Sequence, residues 1–254
     1  MEYIDTHAHL NSDLFSDDRD MILDSAVQLG VRAVINCATG FDDWEKTLSL
    51  SRDYPLLKSA LGVHPWYIPD DYDMLFKKTD FSIFRDITAV GEIGLDKKFS
   101  RIPIDIQKKV FTDFIILAKE FNLPATVHCI SAFDELIEII KKTGPPEKGI
   151  VLHAFNGSSE LAASLIKYNI YFSIGGTVTY PESRKRNEMI KKIFPERMML
   201  ETDSPDIPVA ESTDKRNVPG NIIFIAKAAA LILNEEIGKV AAVTTDTARR
   251  IFGV

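Results

Sequence analysis

Short apolar runs alternate with longer amphipathic stretches along the whole chain. Each run has the length of a buried strand, and between the runs apolar residues recur at intervals of three and four, as in an amphipathic helix. The predicted strands cover residues 3–5, 33–36, 58–61, 88–91, 125–127, 150–152, 170–173 and 199–201. The clearest helical stretches cover residues 19–29, 107–121, 132–142, 161–168, 222–233 and 235–252.

Strands that alternate with helices indicate parallel pairing within one sheet. Eight such units predict a closed (β/α)8 TIM barrel, a fold that typically needs about 250 residues, and the chain has 254. The main competitor is an open doubly wound sheet, but no Gly-x-Gly-x-x-Gly follows the first run. No linker or low-complexity segment divides the chain, so we predict a single domain over residues 1–254.

Composition narrows the class of protein. The chain is 45% hydrophobic and 26% charged, and its formal charge of −7 argues against coating nucleic acid by bulk electrostatics. No run approaches the ~18 apolar residues of a membrane span, and no secretory signal is visible at the start. Two cysteines do not make a disulfide framework, which favours a reducing cytoplasm. We interpret Cys37 and Cys129 as packing residues and expect Cys129 to face the helices.

The five histidines all fall at or just past the end of an apolar run. In a (β/α)8 barrel the carboxyl ends of the strands form the face that carries the active site. His7 and His9 are two residues apart on one strand, so both imidazoles point to the same side. One cation can then bind two neutral nitrogens at about 2.0–2.1 Å. We predict both as metal ligands, although a lone histidine there would more often be structural.

Four further strand ends supply polar side chains. Glu92 follows an apolar segment, and a carboxylate in a barrel mouth is costly unless it is paired or binds metal; its two oxygens can bridge two cations. His128 and His153 end the fifth and sixth runs and predict a second metal position. Asp203 follows the eighth run and comes near His7 only if the sheet closes. Each residue alone also fits a structural role: a turn glutamate, a core histidine or a helix-capping aspartate.

His64 follows the third run, and its strand carries none of the predicted ligands. We place it away from both predicted ligand sets and expect it to contact the substrate or transition state rather than a metal ion.

Six segments occur in an order that resembles the TatD family of metal-dependent deoxyribonucleases. Any one of them is weak, but together they are specific and span nearly the whole chain. They are Asp5-Thr6-His7-Ala8-His9, Gly62-Val63-His64-Pro65, Gly91-Glu92-Ile93-Gly94-Leu95-Asp96, Thr126-Val127-His128, Leu152-His153-Ala154-Phe155-Asn156-Gly157 and Leu200-Glu201-Thr202-Asp203-Ser204-Pro205.

The resemblance implies two divalent ions (Mg2+, Mn2+ or Zn2+), a DNA substrate, 3′–5′ exonuclease action and a monomer. It implies that His7, His9 and Asp203 bind one ion, that His128 and His153 bind the other, and that Glu92 bridges them. Three features depart from the family pattern. Lys97 and Lys98 stand where an aromatic residue is frequent, with Phe99 after them, and Thr247 stands where asparagine is common. The stretch Arg216-Asn217-Val218-Pro219-Gly220-Asn221 matches the family's loop only loosely. None of these residues is a predicted ligand, so the departures affect substrate choice more than chemistry.

The predicted reaction is hydrolysis of a phosphodiester by water that two cations acidify and hold for in-line attack. Asp203, Glu92 and His64 are the predicted catalytic residues; Asp203 would accept the proton, and His64 would offset charge on the phosphoryl oxygens. Basic residues after three strands suit a polyanion or form solvated helix faces. They are Lys97, Lys98, Arg101, Arg184, Lys185, Arg186, Lys215 and Arg216.

Two other functions fit the same residues. An amidohydrolase or lactonase would use the same water against a small C–N or C–O substrate. A metal-binding scaffold without catalysis is the third possibility, although six intact ligand types argue against it.

Overall fold

A computed structural model describes residues 1–181 and 183–254. Eight strands form one sheet in chain order, and all neighbouring pairs are parallel. The strands are β1 (Tyr3–Ala8), β2 (Val31–Cys37), β3 (Leu57–Leu61), β4 (Ala89–Asp96), β5 (Ala125–Ile130), β6 (Ile150–Leu152), β7 (Ile170–Ile174) and β8 (Met198–Leu200).

The sheet closes at its carboxyl end. Ala8, at the end of β1, forms a parallel bridge with Ser204, four residues past β8. The Asp203 amide donates to the His7 carbonyl at 2.9 Å, and the His9 amide donates to the Ser204 carbonyl at 2.6 Å. The predicted barrel is therefore confirmed, and its closure brings the end of β8 beside the end of β1.

Helices follow the strands in the alternation that the sequence predicts. In the described part of the chain they are α1 (Arg19–Gln28), α2 (Trp44–Asp53), α3 (Tyr72–Lys78), α4 (Ile104–Glu120), α5 (Phe133–Thr143), α6 (Ser159–Ile166), α7 (Arg184–Ile193), α8 (Ile222–Leu233) and α9 (Ile237–Phe252). The six predicted helical stretches are all present, with ends shifted by up to three residues. None of the helices in the described residues has the length and apolar character needed to cross a bilayer.

Two buried clusters fill the molecule. Alternate residues of β2 separate them, because side chains along a strand point to opposite faces. Val34 belongs to the large cluster between sheet and helices. Ile35 belongs to a smaller cluster that also contains Val151 of β6 and Phe252 of α9. The small cluster fills the interior of the barrel with apolar side chains. The polar residues at the carboxyl ends of the strands therefore lie directly above a packed apolar layer.

Close approach of β4 and β5 depends on glycine. Gly91 has a φ of 154° and Gly94 a φ of 156°, values that L side chains rarely adopt. A Cβ on Gly94 would lie 2.0 Å from the carbonyl oxygen of His128, and one on Gly91 would lie 2.1 Å from the methyl carbon of Thr126. The two glycines thus let β4 lie against β5 on either side of Glu92.

Candidate metal centre

The predicted ligands converge at the carboxyl ends of five strands. They lie in or just after β1, β4, β5, β6 and β8, and all are buried or nearly so. Their polar atoms form two groups. The first cluster comprises His7, His9, Asp203 and the Oε2 atom of Glu92; the second cluster comprises His128, His153 and the Oε1 atom of Glu92.

The first cluster draws on three strand ends. His7 Nε2 and His9 Nε2 are 3.2 Å apart, which confirms that the two imidazoles share one side of the strand. Glu92 Oε2 lies 3.3 Å from His7 Nε2 and 3.4 Å from His9 Nε2. Asp203 Oδ1 lies 3.7 Å from each of the same nitrogens. Asp203 has a left-handed φ of 57°, which aspartate tolerates better than most residues.

The second cluster forms on β5 and β6. His128 Nδ1 lies 3.3 Å from His153 Nε2. Glu92 Oε1 is 2.9 Å from His153 Nε2 and 3.5 Å from His128 Nδ1. Glu92 therefore directs one oxygen into each cluster, as a bridging carboxylate does.

These spacings fit divalent cations. Ligands at about 2.0–2.2 Å around one tetrahedral ion are separated by ~3.4 Å, and separations within the first cluster run from 3.2 to 3.7 Å. The nitrogen lone pairs of His7 and His9 converge at 3.2 Å and repel each other unless a cation or proton lies between them. The same holds for His128 and His153 at 3.3 Å.

The outer nitrogens of three of these histidines face groups that accept a hydrogen bond. His9 Nδ1 donates to the carbonyl oxygen of Cys37 at 2.9 Å, and His128 Nε2 donates to Asp96 Oδ2 at 3.1 Å. His7 Nδ1 lies 3.0 Å from the Thr126 hydroxyl, which accepts the bond when Nε2 is deprotonated. A proton on the outer nitrogen leaves the inner lone pair free, so His9 and His128 are in the tautomer that binds metal, and the Thr126 hydroxyl allows His7 to adopt the same one.

His64 has the opposite arrangement. Its Nδ1 accepts a hydrogen bond from the backbone amide of Trp66 at 3.2 Å, so the proton of the neutral ring lies on Nε2. Burial lowers the pKa of His64 to about 3, which keeps the ring neutral. Nε2 is 3.5 Å from Glu92 Oε1. Distance alone would group His64 with His128 and Glu92 as a ligand, but the tautomer makes it a donor.

The position of His64 differs from the expectation. The sequence placed it away from both ligand sets, whereas its ring centroid lies 4.6 Å from that of His128. The reason is that the chain turns inward after β3: the amide of His64 donates to the Thr39 carbonyl at 2.8 Å. That loop carries the ring over the barrel mouth.

Carboxylates dominate the electrostatics of the site. Burial alone would lower the pKa of a histidine, yet Glu92 and Asp203 raise that of His9 to about 9 and that of His153 to about 10. Burial raises the pKa of Asp203 to about 6. For Glu92, the surrounding imidazoles outweigh burial and hold the pKa well below its usual range. A buried site with this much negative charge requires cations, either protons or metal ions.

Three buried acids support the clusters, and sequence reasoning assigned them no role. Asp96 accepts the bond from His128. Glu201 accepts the Ala154 amide at 2.5 Å and lies 3.8 Å from His153 Nδ1. Asp5 accepts the Thr202 amide at 2.8 Å, which fixes the segment before Asp203. The sequence feature that could have identified them is an acidic residue within or beside an otherwise apolar, buried strand.

The clusters open into a pocket of about 730 Å³. One wall comes from the loops after β3 and β4, through Trp66, Tyr67 and Phe99. The other comes from the loop after β1, with Asn11, and from the first turn of α2, with Lys46.

Three of the basic residues that were considered for binding a polyanion make contacts within the chain. Arg216 pairs with Asp18 at 2.6 Å, and Arg184 pairs with Glu188 at 2.8 Å on the exposed face of α7. Arg186 donates to carbonyl oxygens of the segment before α7. These contacts within the chain account for the three arginines without a bound polyanion.

Both cysteines are free thiols. Cys37 is fully buried and belongs to the small cluster inside the barrel. Cys129 packs against the large cluster, which agrees with its expected orientation toward the helices, and it also borders the pocket. Burial raises the pKa of both thiols, so they are poor nucleophiles.

Comparison with known proteins gives a consistent family. The sequence profile described as TatD related DNase matches residues 4–253. The metal-dependent hydrolase YabD of Bacillus subtilis is 33% identical over 98% of this chain and 98% of its own length. The 3′-5′ ssDNA/RNA exonuclease TatD of Erwinia tasmaniensis is 28% identical over 98% of this chain and 99% of its own. The crystal structure of the TatD homologue YjjV from Escherichia coli superposes with a TM-score of 0.86 at 29% identity, covering 99% and 98% of the two chains.

Proposed function

This chain belongs to the TatD-related DNase family, and on that premise we propose that it hydrolyses phosphodiester bonds of DNA with two divalent ions. Relatives named as metal-dependent hydrolases and nucleases support this class of reaction. The exonuclease of Erwinia tasmaniensis supports a 3′–5′ direction on single strands. Mg2+, Mn2+ and Zn2+ all suit histidine and carboxylate ligands in this mixture.

The split of Glu92 between the clusters carries the proposal. Its Oε1 lies 2.9 Å from His153 Nε2, and its Oε2 lies 3.3 Å from His7 Nε2. A single carboxylate with one oxygen in each group of converging nitrogens is the arrangement that two neighbouring ions need. His7, His9 and Asp203 would hold one ion, and His128 and His153 the other.

Bound divalent ions would supply Lewis acidity to phosphoryl oxygens and acidify water at the site. Asp203, whose pKa is raised to about 6 by burial, is the proposed acceptor of the proton that the attacking water loses. His64 presents Nε2–H toward the site and would donate a hydrogen bond to a phosphoryl oxygen. Glu92 holds the two ligand groups in register. A monomeric state and a cytoplasmic location remain predictions from the sequence.

The test uses metal-stripped protein and 5′-labelled single- and double-stranded DNA, with Mg2+, Mn2+ or Zn2+ restored one at a time. We expect cleavage only with metal, and a ladder of products shortened from the 3′ end. Glu92→Gln should lower kcat/KM by at least ~10³-fold, because it weakens both ion positions at once. Metal content measured by mass spectrometry should fall in parallel.

Glu135→Gln is the matched control, because Glu135 pairs with Lys97 outside both clusters; it should keep full activity. Full activity in folded Glu92→Gln would contradict the proposal. So would hydrolysis of lactones or cyclic amides by protein that holds two ions and leaves every DNA substrate intact.

A further inference from the structure

Three aromatic side chains line one side of the pocket and are exposed to solvent. Trp66 is 44% exposed, Tyr67 57% and Phe99 57%. We call these three residues the aromatic wall. In the described part of the chain, the other aromatic residues with such exposure, Tyr180 and Phe224, do not line this pocket. Exposed rings are thus concentrated where a substrate would enter, and exposed apolar surface of this kind marks binding sites.

The aromatic wall adjoins the second cluster. The ring centroid of Trp66 lies 5.9 Å from that of His128 and 5.0 Å from that of His64. Tyr67 lies 5.7 Å from His64 by the same measure. A phosphate held at the metal centre would therefore place the attached nucleoside close to these rings.

The rings of the wall are held in place by the protein. Trp66 Nε1 donates to Asp96 Oδ2 at 2.8 Å, and the Phe99 amide donates to Asp96 Oδ1 at 2.8 Å. The Ser100 hydroxyl donates to the Pro65 carbonyl at 2.8 Å, which ties the two loops together. Trp66 and Phe99 meet at 73° with centroids 6.4 Å apart. Trp66 and Phe99 thus meet at a corner where two loops are hydrogen-bonded to each other and to Asp96.

From this geometry we propose that the aromatic wall stacks on the unpaired base of the nucleotide being removed, with Trp66 as the main contact. The inference rests on the proposed nuclease function and extends it to the form of the substrate. Bases of a single strand are free to stack on protein rings, whereas those of a duplex are already stacked on one another. The wall therefore favours single-stranded 3′ ends that carry a base, largely irrespective of which base it is.

A cycle of protein and substrate changes tests the contact. Two single-stranded oligonucleotides differ only in that the second lacks the base of its 3′-terminal nucleotide. Stacking is sequence-tolerant and strong, so Trp66→Ala should lower kcat/KM by about 10- to 100-fold on the first strand and by no more than ~3-fold on the second. Trp66→Phe keeps a ring and should stay within ~3-fold of the wild type on both. Phe224→Ala is the control for loss of an exposed ring elsewhere.

A second readout needs no cleavage. The chain has two tryptophans, and Trp44 is buried with its Nε1 bonded to the Gly62 carbonyl at 2.9 Å, so changes in fluorescence report on Trp66. We expect 2′-deoxyadenosine 5′-monophosphate to quench the metal-loaded protein, and 2-deoxyribose 5-phosphate to leave its fluorescence unchanged. Trp66→Phe should abolish the quenching.

The outcomes separate the two proposals. If the wild type cleaves both strands and Trp66→Ala slows both equally, base stacking is overturned while the nuclease function stands. Equal quenching by the nucleotide and the sugar phosphate overturns stacking as well. If the wild type cleaves neither strand, the nuclease function fails, and nucleotide-specific quenching still supports the wall as a base-binding surface.

Discussion

The two clusters that meet at Glu92 differ in what lies behind their imidazoles. In the first cluster, the outer nitrogen of His9 faces a backbone carbonyl and that of His7 faces a hydroxyl. In the second cluster, His128 is bonded to a buried carboxylate and His153 lies 3.8 Å from another. Besides Glu92, the first cluster contains a carboxylate next to its inner nitrogens, that of Asp203. In the second cluster the additional carboxylates lie on the outer side of the imidazoles.

From this difference we infer that the two clusters have different roles. A carboxylate hydrogen-bonded to a histidine fixes its tautomer and makes the ring a more basic ligand, so the second cluster should depend for affinity on Asp96, which accepts from His128 at 3.1 Å. A carboxylate inside the ligand group can also accept a proton from water bound at the site, whereas imidazoles separate the outer acids from that water. The first cluster is thus suited to the proton transfer, and the second to holding an ion beside the aromatic wall.

Among the changes that affect only one of the two clusters, the largest effect is expected from Asp203→Asn. Loss of a proposed ligand and proton acceptor should lower kcat/KM by about 10²–10⁴-fold. Metal analysis should show that the protein retains one tightly held ion, because the second cluster is intact. Asp206→Asn is the matched control: Asp206 borders the same pocket and is exposed. Loss of both ions in folded Asp203→Asn, or activity equal to that of the control, would contradict the proposed division.

A smaller effect is expected from Asp96→Asn. If the amide oxygen keeps the Lys98 and Phe99 amides, the amide nitrogen must face His128 Nε2. That contact reverses the tautomer and protonates Nδ1, the nitrogen that would bind the ion. Affinity for the second ion should fall by about 10- to 100-fold, as measured by calorimetric titration of metal into stripped protein.

Asp96 both accepts a hydrogen bond from Trp66 in the loop after β3 and orients His128. Trp66→Phe distinguishes these two roles, because it removes the indole hydrogen bond at 2.8 Å and leaves the bond to His128. Its metal affinity should match that of the wild type. Equal loss of affinity in Trp66→Phe and Asp96→Asn would mean that the carboxylate acts by packing the loops rather than by orienting His128.

The sequence predicted which side chains meet at the barrel mouth better than it predicted the groups that support them. Polar residues that end apolar runs marked His7, Glu92 and Asp203 without any structure. The fourth run was predicted to end at residue 91, whereas β4 continues to Asp96. Glu92 and Asp96 break the apolar pattern but are buried, so a rule based on hydrophobicity ends the strand where the site begins.

The groups that orient the histidine rings are harder to predict, because each lies far in sequence from the histidine that it contacts. Thr126 is 119 residues from His7, and Cys37 is 28 residues from His9. Strand order brings such pairs to the barrel mouth, but the atom that faces each ring depends on register and on glycines such as Gly94. The tautomer of His64 is a similar case: a backbone amide decides it, and no side-chain pattern records that bond.

The smallest effect is expected from a change at Thr126, whose uncharged hydroxyl contacts His7 in the first cluster. Thr126→Val removes the hydroxyl that lies 3.0 Å from His7 Nδ1 and keeps the methyl group that packs against Gly91. The loss of one hydrogen bond should weaken binding of the first ion by about 2- to 10-fold, less than Asp96→Asn weakens the second. Thr126→Ser keeps the hydroxyl and should bind as the wild type does. Metal titration of the three proteins decides the matter: if Thr126→Val costs as much affinity as Asp96→Asn, a neutral acceptor orients its histidine as strongly as a carboxylate does, and the distinction between the clusters does not hold.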